Sequence, residues 1–326
     1  MSIRDPRSRV RRRVCPVALA AAAVLAAGGA LPAAAAAAGP PRGFLSVFDY
    51  DASAPLAPTA RLESQTDLVR IQKVTYRGAG GERVPALLSL PKRTRGRVPC
   101  VIEGHGLTLS KEEGFGENAE RYGARGVGVF AIDARYHGER TAGVGGEAAA
   151  ARLETTYRLY RLTVIDLRRG LDYLTRRTRC DPARIGFEGY SMGGYMGSML
   201  IGADRRVAAG VFYVSGADWR TIFSKAYVYF GGRLAGARLA RAVRVMSPLD
   251  PKWWIPRASG RPVFMAAGRR DDRTPFAAAL ALQRAARAPK QVVNYDGGHD
   301  IEEPFRTKVF RDSFAFLGRA LRFSTR

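Results

Sequence analysis

At 326 residues, 46% of them hydrophobic and 25% charged, the chain has an ordinary globular composition, which excludes a disordered or fibrous protein. A chain of this length can bury roughly three-quarters of its extended surface in one core, so one large domain is as reasonable as two. The formal charge of +24 arises from 53 Lys and Arg against 29 Asp and Glu, and only 7 of these cations are lysine. They are scattered, with no basic run beyond the N-terminus and no interleaved aromatics of the kind that stack bases. That argues against a nucleic-acid partner and for a solvated surface of biased composition.

Arg4, Arg7, Arg9 and Arg11 to Arg13 precede an apolar stretch from Val14 to about Ala30, followed by Pro32 and alanines to Ala38. This is the layout of a secretory signal peptide over residues 1–38, short and alanine-rich for a spanning helix. A secreted, periplasmic or cell-envelope product is expected, with no stable membrane span after cleavage. The leader holds six arginines and one aspartate, so the remaining 288 residues carry about +19. Only Cys100 and Cys180 then remain. In an exported chain they can pair, although two separate buried thiols are the simpler expectation. No CxxC pair or His/Cys cluster points to a metal.

Residues 39–69 read as an N-terminal extension and 70–326 as one domain. From about residue 70 short apolar runs alternate with longer helical stretches, the pattern of an α/β fold with a mostly parallel sheet and helices on both faces. About eight strands are predicted: Ile71–Tyr76, Val84–Leu90, Val98–Glu103, Val127–Ile132, Ile185–Glu188, Val211–Val214, Pro262–Ala267 and Gln291–Tyr295. The first two form a hairpin across the glycine-rich Arg77–Arg83. Helical patterns cover 146–178, 192–204, 275–288 and 302–321, and Leu159, Leu162, Ile165, Leu171 and Leu174 mark the sheet-facing stripe of the first. Residues 216–260 interrupt the alternation with Trp219, Phe223, Tyr227, Tyr229, Phe230, Trp253 and Trp254. They form either an ordinary crossover with buried aromatics or a small cap that walls a ligand pocket.

Gly189-Tyr190-Ser191-Met192-Gly193 lies between a predicted strand and a predicted helix. A turn that throws a serine hydroxyl off a strand end brings its flanks close together, which Gly189 and Gly193 permit, and Gly194 lets the following helix approach the sheet. Serine is a weak nucleophile and needs a base, which in turn needs an orienting group. The chain has three histidines, His105, His137 and His299. His299 follows the last predicted strand and Asp271 follows the one before it. Ser191, Asp271 and His299 therefore all sit beyond the C-terminal ends of strands, where ligands bind in open α/β sheets.

In this chain order, and in Gly268-x-x-Asp271-x-x-x-Pro275, Gly298-His299 and Gly104-His105-Gly106, residues 70–321 resemble the α/β-hydrolase family. Leu107–Glu113 and Asp133–Gly138 look most similar to its dienelactone-hydrolase-related and acetyl-xylan-esterase-like carboxylesterases. The resemblance implies a serine esterase with Ser191, His299 and Asp271 as triad and the backbone N–H groups of Leu107 and Met192 as oxyanion hole, supported by His105 and Gly106. It implies no metal or organic cofactor, and a small-molecule or polymer-borne ester as substrate. Two readings compete. The run Gly189–Tyr195 also suits a prolyl-oligopeptidase-like peptidase, whose large N-terminal propeller does not fit in the roughly 30 residues ahead of the first strand. A binding module that has lost catalysis should lack a triad member, and none is missing.

Single residues have plainer competitors. Asp272 is the alternative acid, although the spacing to Gly268 and Pro275 favours Asp271. His299 has a helix-capping surface role as its alternative. His105 reads as loop architecture or pocket wall, His137 as structural near the fourth strand's end, with substrate contact the alternative, and Asp133 as a partner for backbone groups. Arg269 and Arg270 flank the expected rim, as exposed charges or as contacts for an anionic substrate.

Overall fold

Nine strands form one sheet in the order β1-β2-β3-β5-β4-β6-β7-β8-β9. They are β1 (Thr59–Gln65), β2 (Val69–Arg77), β3 (Arg83–Pro91), β4 (Val98–Gly104), β5 (Gly128–Ile132), β6 (Cys180–Tyr190), β7 (Val207–Tyr213), β8 (Val263–Gly268) and β9 (Lys290–Tyr295). The computed structural model describes residues 39–141, 143, 145–287 and 289–325, so the expected leader lies outside the described residues. Strands β1 to β3 form an antiparallel meander and β3 runs antiparallel to β5. All pairings from β5 to β9 are parallel.

The eight expected strands are present, and β1 is additional. All seven β1 residues are exposed, so the strand has no buried face to impress an alternation on the sequence. It ties part of the extension at residues 39–69 to the sheet, and the 3-10 turn Phe44–Phe48 packs there too, its two phenylalanines contacting Trp254 at 5.1 and 4.6 Å between ring centroids.

The helices are α1 (Phe115–Gly123), α2 (Gly146–Ala150), α3 (Leu153–Arg177), α4 (Met192–Ala203), α5 (Trp219–Lys225), α6 (Gly236–Met246), α7 (Pro251–Trp254), α8 (Phe276–Ala285) and α9 (Phe305–Leu321). One buried cluster joins α3 and α4 to the sheet through Leu159, Leu171, Met196 and Leu200. A second joins α1 and α9 through Phe115, Tyr122, Val309 and Leu317. Helices thus cover both faces, and neither α1 nor the gap between α2 and α3 follows from the periodicity. At that gap Arg152 is extended, with φ −125° and ψ 136°, and its carbonyl accepts the Thr156 N–H at 2.9 Å and the Thr156 hydroxyl at 2.7 Å. The expected single helix over 146–178 is therefore two.

Cys100 on β4 and Cys180 on β6 are joined in a disulfide with a Cα–Cα distance of 5.6 Å. This corrects the expectation of two separate thiols, because the strands that carry them are neighbours in the sheet. Within residues 216–260 the aromatic side chains divide between the core and the surface. Trp219 stacks on Tyr195 and Phe223 at 5.6 and 5.2 Å, and these rings are buried, whereas Tyr227 is 62% exposed. Among the described residues no helix is long and apolar enough to cross a membrane.

Candidate active site

Parallel pairing places the ends of β4 and β6 side by side, with Gly104 beside Gly189 and Glu103 beside Glu188. Likewise Gly268 at the end of β8 lies beside Tyr295 at the end of β9. Four loops, after β4, β6, β8 and β9, therefore converge on one end of the sheet.

Ser191, between β6 and α4, has φ 51° and ψ −115°, a conformation that costs a non-glycine residue about 1–3 kcal/mol. It is held there by its N–H, which donates to the Tyr213 carbonyl at 2.9 Å, and by its carbonyl, which accepts from the Tyr195 N–H at 3.1 Å. The surrounding glycines are steric necessities. A Cβ on Gly193 would overlap the Gly104 carbonyl, and one on Gly189 would overlap the Gly193 backbone. One on Gly194 would press on Ser215.

His299 Nε2 lies 2.9 Å from the Ser191 Oγ, and its Nδ1 lies 2.8 and 2.9 Å from the two carboxylate oxygens of Asp271. The carboxylate fixes the tautomer: Nδ1–H donates to Asp271, leaving the Nε2 lone pair to accept the serine hydroxyl. Asp271 is buried and also accepts the N–H groups of Arg273 and Thr274 at 2.9 and 2.7 Å. Asp272, the alternative, is exposed. Tyr190 donates its hydroxyl to the His299 carbonyl at 2.7 Å and meets that ring edge-on at 5.7 Å. Burial, with Asp300 and Asp271 nearby, raises the Tyr190 phenol pKa and keeps it a donor.

Met192 is the first residue of α4, so its N–H has no intrahelical acceptor. Leu107, Met192, Ser191 and His299 line one cavity of about 560 Å³, together with residues that include Tyr195, Thr274, Tyr227, Tyr229 and Gly231. Arg269 and Arg270 do not line it, which corrects the expected rim. Arg270 pairs with Asp296 at 2.9 Å in solvent, Arg269 lies over the Phe276 ring, and Arg273 takes the place at the cavity.

The other two histidines are not arranged as bases toward Ser191. His105 Nδ1–H donates to the Gly106 carbonyl at 2.8 Å and its Nε2 accepts the Ala134 N–H at 3.0 Å. Burial pushes its pKa down to about 4, so the ring is neutral. His137 has the Arg135 carbonyl 2.7 Å from Nδ1 and the Leu107 carbonyl 2.6 Å from Nε2. Asp133 accepts the backbone N–H of Lys111 at 3.1 Å and that of Glu139 at 3.0 Å. It also holds the buried Lys111 ammonium at 2.8 Å, an ion pair the sequence does not announce. Tyr190, Lys111 and Arg273 are thus the residues that sequence reasoning misses. A tyrosine beside the serine and a lysine among surface-like charges carry no motif of their own.

The prolyl oligopeptidase family model matches residues 120–324. YtaP of Bacillus subtilis (strain 168), a protein named as a hydrolase, is 28% identical over 172 residues, which is 49% of this chain and 57% of that one. The chain therefore spans little more than half the length of this relative. Acetyl xylan esterase 1 of Thermoanaerobacterium sp. JW/SL YS485 superposes with a TM-score of 0.70 at 20% identity, over 85% of this chain and 92% of that chain. The acetyl xylan esterase of Paenibacillus sp. R4 gives 0.68 at 21%, over 82% and 90%. A puromycin-hydrolyzing peptidase of Mycobacterium tuberculosis gives 0.62 at 20%, over 80% of this chain and 41% of that chain. At these identities the likeness is one of fold, and the fold is that of the α/β hydrolases.

Proposed function

The chain belongs to the prolyl oligopeptidase family, and we propose that within it this hydrolase cleaves carboxylic esters through an acyl-enzyme on Ser191. The observation that carries the reading is the unbroken row of hydrogen bonds from Ser191 Oγ through the His299 ring to Asp271. It is supported by the forced turn at Ser191 and by the cavity into which that hydroxyl opens.

In this mechanism His299 Nε2 takes the Ser191 proton as the oxygen attacks the acyl carbon. Asp271 steadies the imidazolium that forms. The oxyanion receives the N–H groups of Met192 and Leu107, donors of a kind whose loss typically costs about 2.7–4 kcal/mol of barrier. The imidazolium returns its proton to the departing alkoxide, leaving an ester on Ser191. A water molecule, deprotonated by the same ring, then attacks that ester and releases the acid, and the serine recovers its proton. No step calls for a metal or an organic cofactor.

The choice of esters over peptides is drawn from the two acetyl xylan esterases, whose TM-scores of 0.70 and 0.68 exceed the 0.62 of the peptidase. We also propose that residues 1–38 direct export. The disulfide between Cys100 and Cys180 supports this, since such bonds persist in oxidising compartments.

Short-chain p-nitrophenyl esters should give a burst of nitrophenol, and a fluorophosphonate probe should label Ser191. Ser191→Ala should lower turnover by about 10³-fold or more and abolish labelling. Undiminished turnover in that variant would refute the mechanism. Faster release from aminoacyl p-nitroanilides than from the esters would move the chain to the peptidase reading.

A further inference from the structure

We infer that His137 is a positioning residue that aims the Leu107 N–H at the oxyanion. The inference rests on the proposed role of Leu107. Of the three histidines, His137 is the one with a carbonyl oxygen at hydrogen-bond distance from both ring nitrogens: Arg135 at 2.7 Å from Nδ1 and Leu107 at 2.6 Å from Nε2. The first contact is local. The second reaches across 30 residues to the loop that walls the Ser191 cavity. A carbonyl oxygen only accepts, so the hold on Leu107 is made through a proton on Nε2.

The geometry of the loop makes that hold consequential. Peptide groups are planar and trans, so the Leu107 N–H points away from the Gly106 carbonyl of the same group. That carbonyl is gripped by His105 Nδ1–H at 2.8 Å and by the Leu109 N–H at 3.2 Å. His137 grips the next carbonyl along, on Leu107 itself, and its ring lies 5.0 Å from that of His105. Two successive carbonyls are thereby fixed on either side of the one N–H that must point inward. The first grip sets the plane that carries the Leu107 N–H, and the second anchors the peptide that follows, so that its loss lets the loop shift and carry that plane with it.

A third segment closes the arrangement from behind. Gly146 opens α2 so close to the contact that a Cβ there would overlap both His137 Nε2 and the Leu107 carbonyl. The residue is in no left-handed conformation, so the glycine answers to that contact and not to the backbone. Its neighbour Glu147 lines the Ser191 cavity, which ties this helix start to the same site.

The test compares wild type with His137→Leu, His137→Gln and Gly146→Ala on a p-nitrophenyl ester, alongside each variant's melting temperature. The affinity of a trifluoromethyl ketone, which captures Ser191 as an oxyanion adduct, is read in parallel. His137→Leu and Gly146→Ala should lower kcat about 10- to 100-fold with KM unchanged, the scale expected when a reacting group is displaced by about 1 Å. Ketone affinity should fall by the same factor, and His137→Gln, whose amide can donate to Leu107, should recover most of both. If His137→Leu does not fold, Gly146→Ala keeps the ring and carries the same expectation alone. Wild-type kcat and ketone affinity in a folded His137→Leu or Gly146→Ala would overturn the inference. So would losses that follow the melting temperature and are not restored by Gln. An unaltered chain that neither turns over esters nor labels at Ser191 would overturn the proposed function itself, a result read without any variant.

Discussion

The turn at Ser191 and the loop from His105 to Glu113 face one another across the end of the sheet, and they are held by different means. At the turn, backbone meets backbone: Gly193 lies against Gly104, Gly189 against Gly193, and Gly194 against Ser215. In the loop, side chains make the ties: the buried Asp133 and His137 reach in from elsewhere in the chain, onto Lys111 and the Leu107 carbonyl, and the loop's own His105 ring sits between Gly106 and Ala134. Steric exclusion leaves the Ser191 hydroxyl one place to be. Polar ties leave the Leu107 backbone adjustable, and each of them is open to loss by a single substitution.

The largest expected effect lies in the loop. Lys111 and Asp133 have fully buried side chains, so Lys111→Met leaves a carboxylate without its counter-charge and should cost about 3–5 kcal/mol in urea unfolding. A loss below about 1 kcal/mol would show that backbone donors alone hold Asp133, erasing the contrast with the turn.

Next comes a pH effect in the same loop. The His105 ring takes up its proton near pH 4 when folded and near 6.5 when unfolded, so the unfolded chain is protonated first on acidification. The stability contributed by the neutral ring is complete above about pH 6.5 and is lost as pH falls toward 4, by at most about 3 kcal/mol. Wild type should therefore lose more stability than His105→Gln between pH 7 and pH 4.5, as followed by denaturant midpoints. Parallel curves would show that this ring does not share in the acid sensitivity of the loop.

Gly193→Ala probes the turn. It should cost about 1–3 kcal/mol of stability and, by shifting Ser191, also about 100-fold in ester turnover. Turnover at the wild-type level would mean that the turn adjusts as readily as the loop. The smallest effect belongs to a tie in neither region. The Arg270–Asp296 pair is two-thirds exposed, and Arg270→Ala should change stability by less than about 1 kcal/mol, with ester turnover unchanged.

The same contrast explains what the sequence made readable. Steric exclusion writes itself into residue identity, and Gly189, Gly193 and Gly194 stand beside Ser191 where the turn requires them. Strand-end placement of Asp271 and His299 followed from the alternation of apolar runs, as did both members of the first hairpin. Side-chain ties leave no such trace. Lys111 sits in a stretch with Ser110, Glu112 and Glu113 that reads as solvated, and its partner Asp133 comes 22 residues later. Strand β1 went unread because an exposed edge strand has no apolar face, and the helix break before Leu153 because it falls at Arg152, an extended residue with no proline or glycine beside it.

The bond between Cys100 and Cys180 closes a covalent ring that contains α1, β5, α2 and α3 and joins the two strands leading into the loop and the turn. A protease that nicks any surface segment within that ring opens the chain without separating its pieces. The fragment bearing the loop stays bound to the fragment bearing the serine, and the two part on a denaturing gel only when a thiol is added. Clipping within the ring thus leaves loop and serine covalently joined over the very stretch where the site depends most on long-range ties.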